Sequence, residues 1–136
     1  MRRSAGMTLI EVLIVLGILG ILLALAAPSL TNYVQRLRFN ESVRTFSESL
    51  LRARDTATRS SVAVEVVAAG GTVTWSNAAT GAQLGRSEIP NGATLDSDTT
   101  IEFSGRGLPV RQVEFVLSDA NHSGSVWLLP TGAILR

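Results

Sequence analysis

An α+β fold, in which a long N-terminal hydrophobic helix packs on an antiparallel β-sheet domain, is predicted by three features of the 136-residue sequence. Aliphatic residues crowd the chain before Pro28. From residue 29 to about 59 there is neither glycine nor proline, and apolar side chains recur at helical spacing. Beyond residue 60 the period falls to two, and Gly, Pro and Asn punctuate short β-branched runs. Helix first and consecutive strands after it favour antiparallel pairing over the alternating order of a parallel sheet. The length suits one modest domain with an appended segment.

Residues 9–27 are apolar apart from Glu11, Gly17 and Gly20. As a helix they span roughly 28 Å, the thickness of a bilayer's hydrocarbon core. Their Leu, Ile and Val side chains sum to roughly −4 to −8 kcal/mol for insertion, against about +3 for one carboxylate at the centre. Glu11 lies near one end, so insertion wins and the lipid bilayer is the first expected partner. Arg2 and Arg3 stand just before the segment, and the positive-inside rule keeps them cytoplasmic while everything after Pro28 faces outward.

The helix is expected to continue through or just after a bend at Pro28. Phe39, Val43, Phe46, Leu50, Ala53 and Ala57 then form one apolar stripe that needs a core to cover. Leu30, Val34 and Leu37 lie on another face, because the step from Leu37 to Phe39 turns the stripe by about 200°. The burial partner therefore changes near residue 38, from other subunits or lipid to the chain's own globular domain. Arg36, Arg38, Arg44, Arg52, Arg54 and Arg59 are interleaved with Glu41, Glu48 and Asp55. The spacings Arg44–Glu48 and Arg52–Asp55 suggest a salt-bridged solvent face rather than a nucleic-acid footprint.

Val62, Val64 and Val66 alternate, and Gly70-Gly71 joins them to residues 72–76 as a hairpin. Further strands are expected over residues 82–89, 99–103, 112–118 and 125–129, separated by Pro90-Asn91-Gly92, residues 105–109 and residues 119–124. A last short strand over 133–135 follows the Pro130-Thr131-Gly132 turn.

The stretch Gly6-Met7-Thr8-Leu9-Ile10-Glu11, followed by an unbroken apolar run, resembles the class III signal of type IV pilins and type II secretion pseudopilins. Pro28 stands where that family carries a helix-bending proline, and Met7 where it commonly carries Phe. Phe103-Ser104-Gly105-Arg106-Gly107 and Leu129-Pro130-Thr131-Gly132 resemble the globular domain of the GspH and FimT group of minor subunits. The resemblance implies the pilin fold, with residues 1–6 as leader, 7–28 as transmembrane and filament-core helix, 29–59 as the amphipathic half and 60–136 as the globular domain. It implies cleavage after Gly6 by a prepilin peptidase, which also methylates the new amine at Met7. A non-enzymatic minor subunit without a cofactor follows, held in the inner membrane by a single pass with its domain in the periplasm. From there it enters a type IV pilus or a periplasmic pseudopilus. Its partners are other pilins or pseudopilins, the peptidase and the inner-membrane assembly platform.

Within a filament the resemblance implies unwinding between Gly20 and Pro28. Glu11 takes the part of a register residue, paired with the Met7 amine of a neighbouring subunit, since a carboxylate in hydrocarbon is costly unless paired. Pairing with its own amine four residues back, or snorkelling to the interface, is the alternative.

Other readings are narrowed by composition. Arg2-Arg3, the apolar run and Ala24-Leu25-Ala26 have the outline of a secretory signal, yet Glu11 interrupts the run and Pro28 follows the supposed site. The absence of cysteine excludes disulfides and thiolate metal sites. For an enzyme, a triad would run through the lone His122 and a serine such as Ser118 or Ser125, but the turn composition around His122 favours a solvated loop histidine. Asp96, Asp98 and Asp119 lack the spacing of an EF-hand ligand set. A formal charge of +1 gives no general attraction to nucleic acid. DNA-capturing members of the FimT group carry Gly-Arg-x-Arg near the C-terminus, where this chain has Gly132-Ala133-Ile134-Leu135 before Arg136. Arg106, Arg111 and Arg136 remain the candidate phosphate contacts, and several such contacts are needed to survive physiological salt.

Overall fold

The computed structural model describes residues 8–136, with the backbone alone for residues 26–28. Two units are distinguished, residues 1–36 and 37–136. Among the described residues one long helix, α1 (Leu9–Ser60), starts in the first and ends in the second.

Thr8 caps α1: its carbonyl accepts from Glu11 N and Val12 N at 3.1 and 3.3 Å, and its hydroxyl oxygen accepts a longer bond of 3.4 Å from Glu11 N. Thr8 and Glu11 thus hold the two ends of a capping-box spacing, with the carboxylate in the first turn where the helix dipole favours it. The chain stays helical through Gly20 and Pro28, although a proline there removes one main-chain donor. At the far end Ser61 takes a left-handed conformation (φ 52°), a usual way to stop a helix.

In the second unit the helical stripe is buried as its spacing predicts. Phe39, Phe46, Leu50, Ala53 and Ala57 belong to the core and Val43 packs against it half-buried. Three serines share that burial and were invisible to a hydropathy pattern: Ser42, Ser47 and Ser49. Ser47 and Ser49 donate their hydroxyls to the carbonyls four residues back, both at 2.8 Å, so those polar atoms are satisfied inside their own helix, while the Ser42 hydroxyl shares its proton between Arg38 O at 3.0 Å and a loop carbonyl.

Among the described residues eight strands follow: β1 (Val64–Ala69), β2 (Thr72–Asn77), β3 (Gln83–Glu88), β4 (Thr94–Leu95), β5 (Thr99–Phe103), β6 (Val113–Ser118), β7 (Ser123–Leu128) and β8 (Ile134–Leu135). They form two four-stranded antiparallel sheets rather than one, in the orders β3-β2-β1-β5 and β4-β6-β7-β8. The two-residue β4 was not expected, being too short to show a period. Val62 lies just outside β1, half-buried against the core.

The inward residues alternate along each long strand: Val64, Val66 and Ala68 on β1, Phe115 and Leu117 on β6, Val126 and Leu128 on β7. They join the helical stripe in one cluster, where Phe46 and Phe115 meet edge to face at 5.0 Å and 64°. In β3 the position opposite Trp75 has to be glycine, since a Cβ on Gly85 would run into the indole ring.

Candidate functional site

The expected functional residues begin on the first unit. Gly6 and Met7, the cleavage and methylation positions, lie outside the described residues, as do Arg2 and Arg3. Immediately after them α1 presents aliphatic side chains on every face: Leu9, Ile10, Leu13, Ile14, Leu16, Ile18, Ile21 and Leu23 are all more than half exposed. An 18-residue window of this helix has a mean hydropathy of 2.9 with none of it buried. Uncovered aliphatics over that length have no aqueous rationale and match a hydrocarbon surrounding. Glu11 is the single acidic residue of the first turn, exposed and with its backbone N–H held by Thr8. Thr8 was not singled out from the sequence, though a threonine three residues before a glutamate at the start of an apolar run is a recognisable cap.

The second unit holds its helix with two loops. Asn91 donates its side-chain amide to Arg38 O at 3.0 Å and to the Glu41 carboxylate at 3.3 Å, while Ser42 donates to Pro90 O at 2.8 Å. From the β6–β7 turn, His122 stacks on Phe39 with ring centroids 5.6 Å apart. His122 is therefore not the solvated loop residue expected: its side chain is 21% exposed and its Nδ1 lies 3.2 Å from Asp119. Turn composition described the backbone correctly but carried no information on the aromatic face below it. Asp119 also accepts from the backbone N–H of Asn121 (2.7 Å) and of His122 (2.6 Å). Those bonds, Asn121's first, hold its carboxyl below the usual range against the opposing effect of desolvation. Ser118 donates its hydroxyl to Asp96 rather than to His122. Among the described residues no cluster of three or more His, Asp or Glu could hold a metal ion.

Of the helical arginines, Arg44 pairs with Glu48 at 2.8 Å as expected, and that bond lowers the Glu48 carboxyl. Asp55 takes Arg59 at 2.9 Å instead of Arg52, the i,i+4 partner with the acid on the N-terminal side being the better aligned. Arg54 differs from the others. Its Nη1 donates to Gly132 O at 2.9 Å, and a Cβ on Gly132 would lie 3.0 Å from both its Cζ and Gly107 O. A Cβ on Gly107 would come within 3.2 Å of Arg54 Cγ. The two glycine turns picked out by resemblance thus close on one arginine, at positive φ of 73° and 79°.

The candidate phosphate contacts fall on separate segments. Arg106 is exposed in the turn after β5. Arg111 donates to Thr100 O at 3.1 Å and lines an open cleft of about 210 Å³ together with Glu65 and Glu102. Arg136 follows β8, where its charge is felt by Glu48. Two of the three arginines therefore have carboxylates as neighbours.

A capped aliphatic helix with one early carboxylate, running on into an α+β domain of this topology, is the architecture of the pilin fold. Residues 1–27 match the prokaryotic N-terminal methylation motif. The pilin-like protein PilA1 of Thermus thermophilus is 46% identical over 54 residues, covering 40% of this chain and 33% of that protein, so the chain spans a third of its relative's length. In fold the chain is similar to the type IV minor pilin FimU of Pseudomonas aeruginosa, with a TM-score of 0.62 at 16% identity over 76% of this chain and 90% of that one. A second crystal form of FimU gives 0.57 at the same identity. The chain has the pilin fold, and its N-terminal segment carries the methylation motif.

Proposed function

We propose that this chain is a non-enzymatic minor subunit of a type IV pilus or a type II secretion pseudopilus, cleaved after Gly6 and N-methylated at Met7. The observation that carries it is Glu11 in the capped first turn of a helix whose aliphatic faces are all uncovered, directly after Gly6-Met7. Before assembly those faces meet lipid, with the globular domain in the periplasm and the chain crossing the inner membrane once. In a filament they meet the equivalent helices of other pilins or pseudopilins, delivered by the peptidase and the assembly platform. There Glu11 pairs with a neighbour's Met7 amine, and the stretch from Gly20 to Pro28 is the part that unwinds. The DNA-binding reading of Arg106, Arg111 and Arg136 gains no support, since Arg111 is spent on a carbonyl between two glutamates. The experiment is Gly6→Leu, expressed with the processing machinery. Uncleaved protein retained in the inner membrane is expected, and normal cleavage to Met7 in that variant would remove the reading.

A further inference from the structure

The four outer edges of the two sheets are managed unequally. β4 and β8 are two residues long, too short to template another chain. β5 is covered by its own continuation: Pro109 bridges to Phe103, Val110 N donates to Glu102 O at 3.0 Å, and Arg111 closes on Thr100 O. Only β3, among the described residues, is a six-residue strand with a bare outer edge, and its side chains are exposed or half-exposed throughout.

Which of its backbone groups are unpaired follows from the ladder. Ile89 N donates to Gly71 O at 2.8 Å, making 71 and 89 a hydrogen-bonded pair in the register Thr72↔Glu88, Thr74↔Arg86. By alternation Ser87 and Gly85 turn their amides and carbonyls toward β2, while Arg86 and Glu88 turn theirs outward. The side chains of Arg86 and Glu88 share the face opposite buried Val73 and Trp75, where they pair at 3.2 Å.

We propose that β3 is a self-pairing edge, at which two copies of this chain join their first sheets antiparallel with Arg86 of each opposite Glu88 of the other. Outward-turned residues must face one another, so a two-fold pairing centres on a residue and not between two; centring on Gly85 sets Arg86 against Leu84 and leaves its charge without a partner across the seam. Centring on Arg86 opposes two arginines and centring on Glu88 opposes two glutamates, each unfavourable directly across strands. Centring on Ser87 sets Arg86 against Glu88 twice and brings exposed Leu84 opposite Pro90. The pair is isologous and closes on itself, so it differs from the head-to-tail contacts that propagate a filament and stands whether or not the filament reading does. For an edge-to-edge pairing of one short strand, a covalent trap is the suitable readout.

The chain has no cysteine, so an introduced thiol reports alone. Ser87→Cys would place two thiols on the symmetry axis in a non-hydrogen-bonded pair, close enough for a disulfide. The full chain in detergent is mildly oxidised and compared with Thr80→Cys, an exposed position in the β2–β3 loop that measures random collision. Dimer should form about tenfold faster through Cys at 87. Adding Arg86→Glu or Glu88→Arg alone should slow it about three- to tenfold, and both together should restore it, because opposite charges face again. Equal rates at 87 and 80, or single reversals without effect, would overturn the pairing. A disulfide formed in native membranes to a different protein would give the edge another occupant and overturn it equally.

Discussion

Glu11 carries the sharpest expectation at the level of single residues. Replacing it by Ala lowers the cost of insertion, so cleavage and membrane residence should survive. Assembly should not, because a neighbour's buried amine would lose its counter-charge at a cost on the order of 3–5 kcal/mol. That is more than a hundredfold in incorporation, read as the ratio of processed protein in membranes to protein in sheared filaments. Equal incorporation would reduce Glu11 to an N-terminal helix residue held by Thr8, the role its hydrogen bond already gives it. Glu11 was legible in the sequence because a lone carboxylate in an aliphatic run is conspicuous. Arg54 was not, because its partner is a carbonyl 78 residues away and nothing near it in the chain reports that.

At the level of elements, periodicity made the helical stripe readable and the same periodicity hid its serines. Ser42, Ser47 and Ser49 are buried by position and satisfied by main-chain carbonyls, two facts that hydropathy scores in opposite directions. Strands of five or six residues were found within a residue or two, whereas β4 exists only because Thr94 and Leu95 pair with Ser118 and Leu117. The β6–β7 turn gives a pH-dependent expectation. Bonds to its folded carboxylate hold Asp119 below its ordinary value of 3.8, so its contribution is present above that value and is lost as the pH falls through the folded one. Melting temperature followed from pH 6 down to about 2 should fall in the wild type. Part of that fall should be missing in Asp119→Asn, and an unchanged acid limb would show that the turn contributes nothing to it.

For the molecule as a whole, every buried hydrophobic side chain among the described residues lies between Phe39 and Leu128. A chain beginning near Tyr33 should therefore be monomeric at low concentration and unfold cooperatively, as judged by sedimentation and thermal denaturation. A molten or insoluble product would mean that residues before Tyr33 complete the core. The change of burial near residue 38 was legible from the turn of the apolar stripe between Leu37 and Phe39. The division into two sheets was not, since it depends on β1 pairing with β5 across the 29 residues 70–98, and strand text carries no record of its partner. The packing of Trp75 over Gly85 also has an optical consequence. The chain's two tryptophans occupy unlike surroundings, Trp75 being 7% exposed beneath β3 and Trp127 37% exposed on the second sheet. Acrylamide should quench their emission in two separable fractions, and the shielded, bluer one is a built-in reporter of whatever opens or covers the β3 edge.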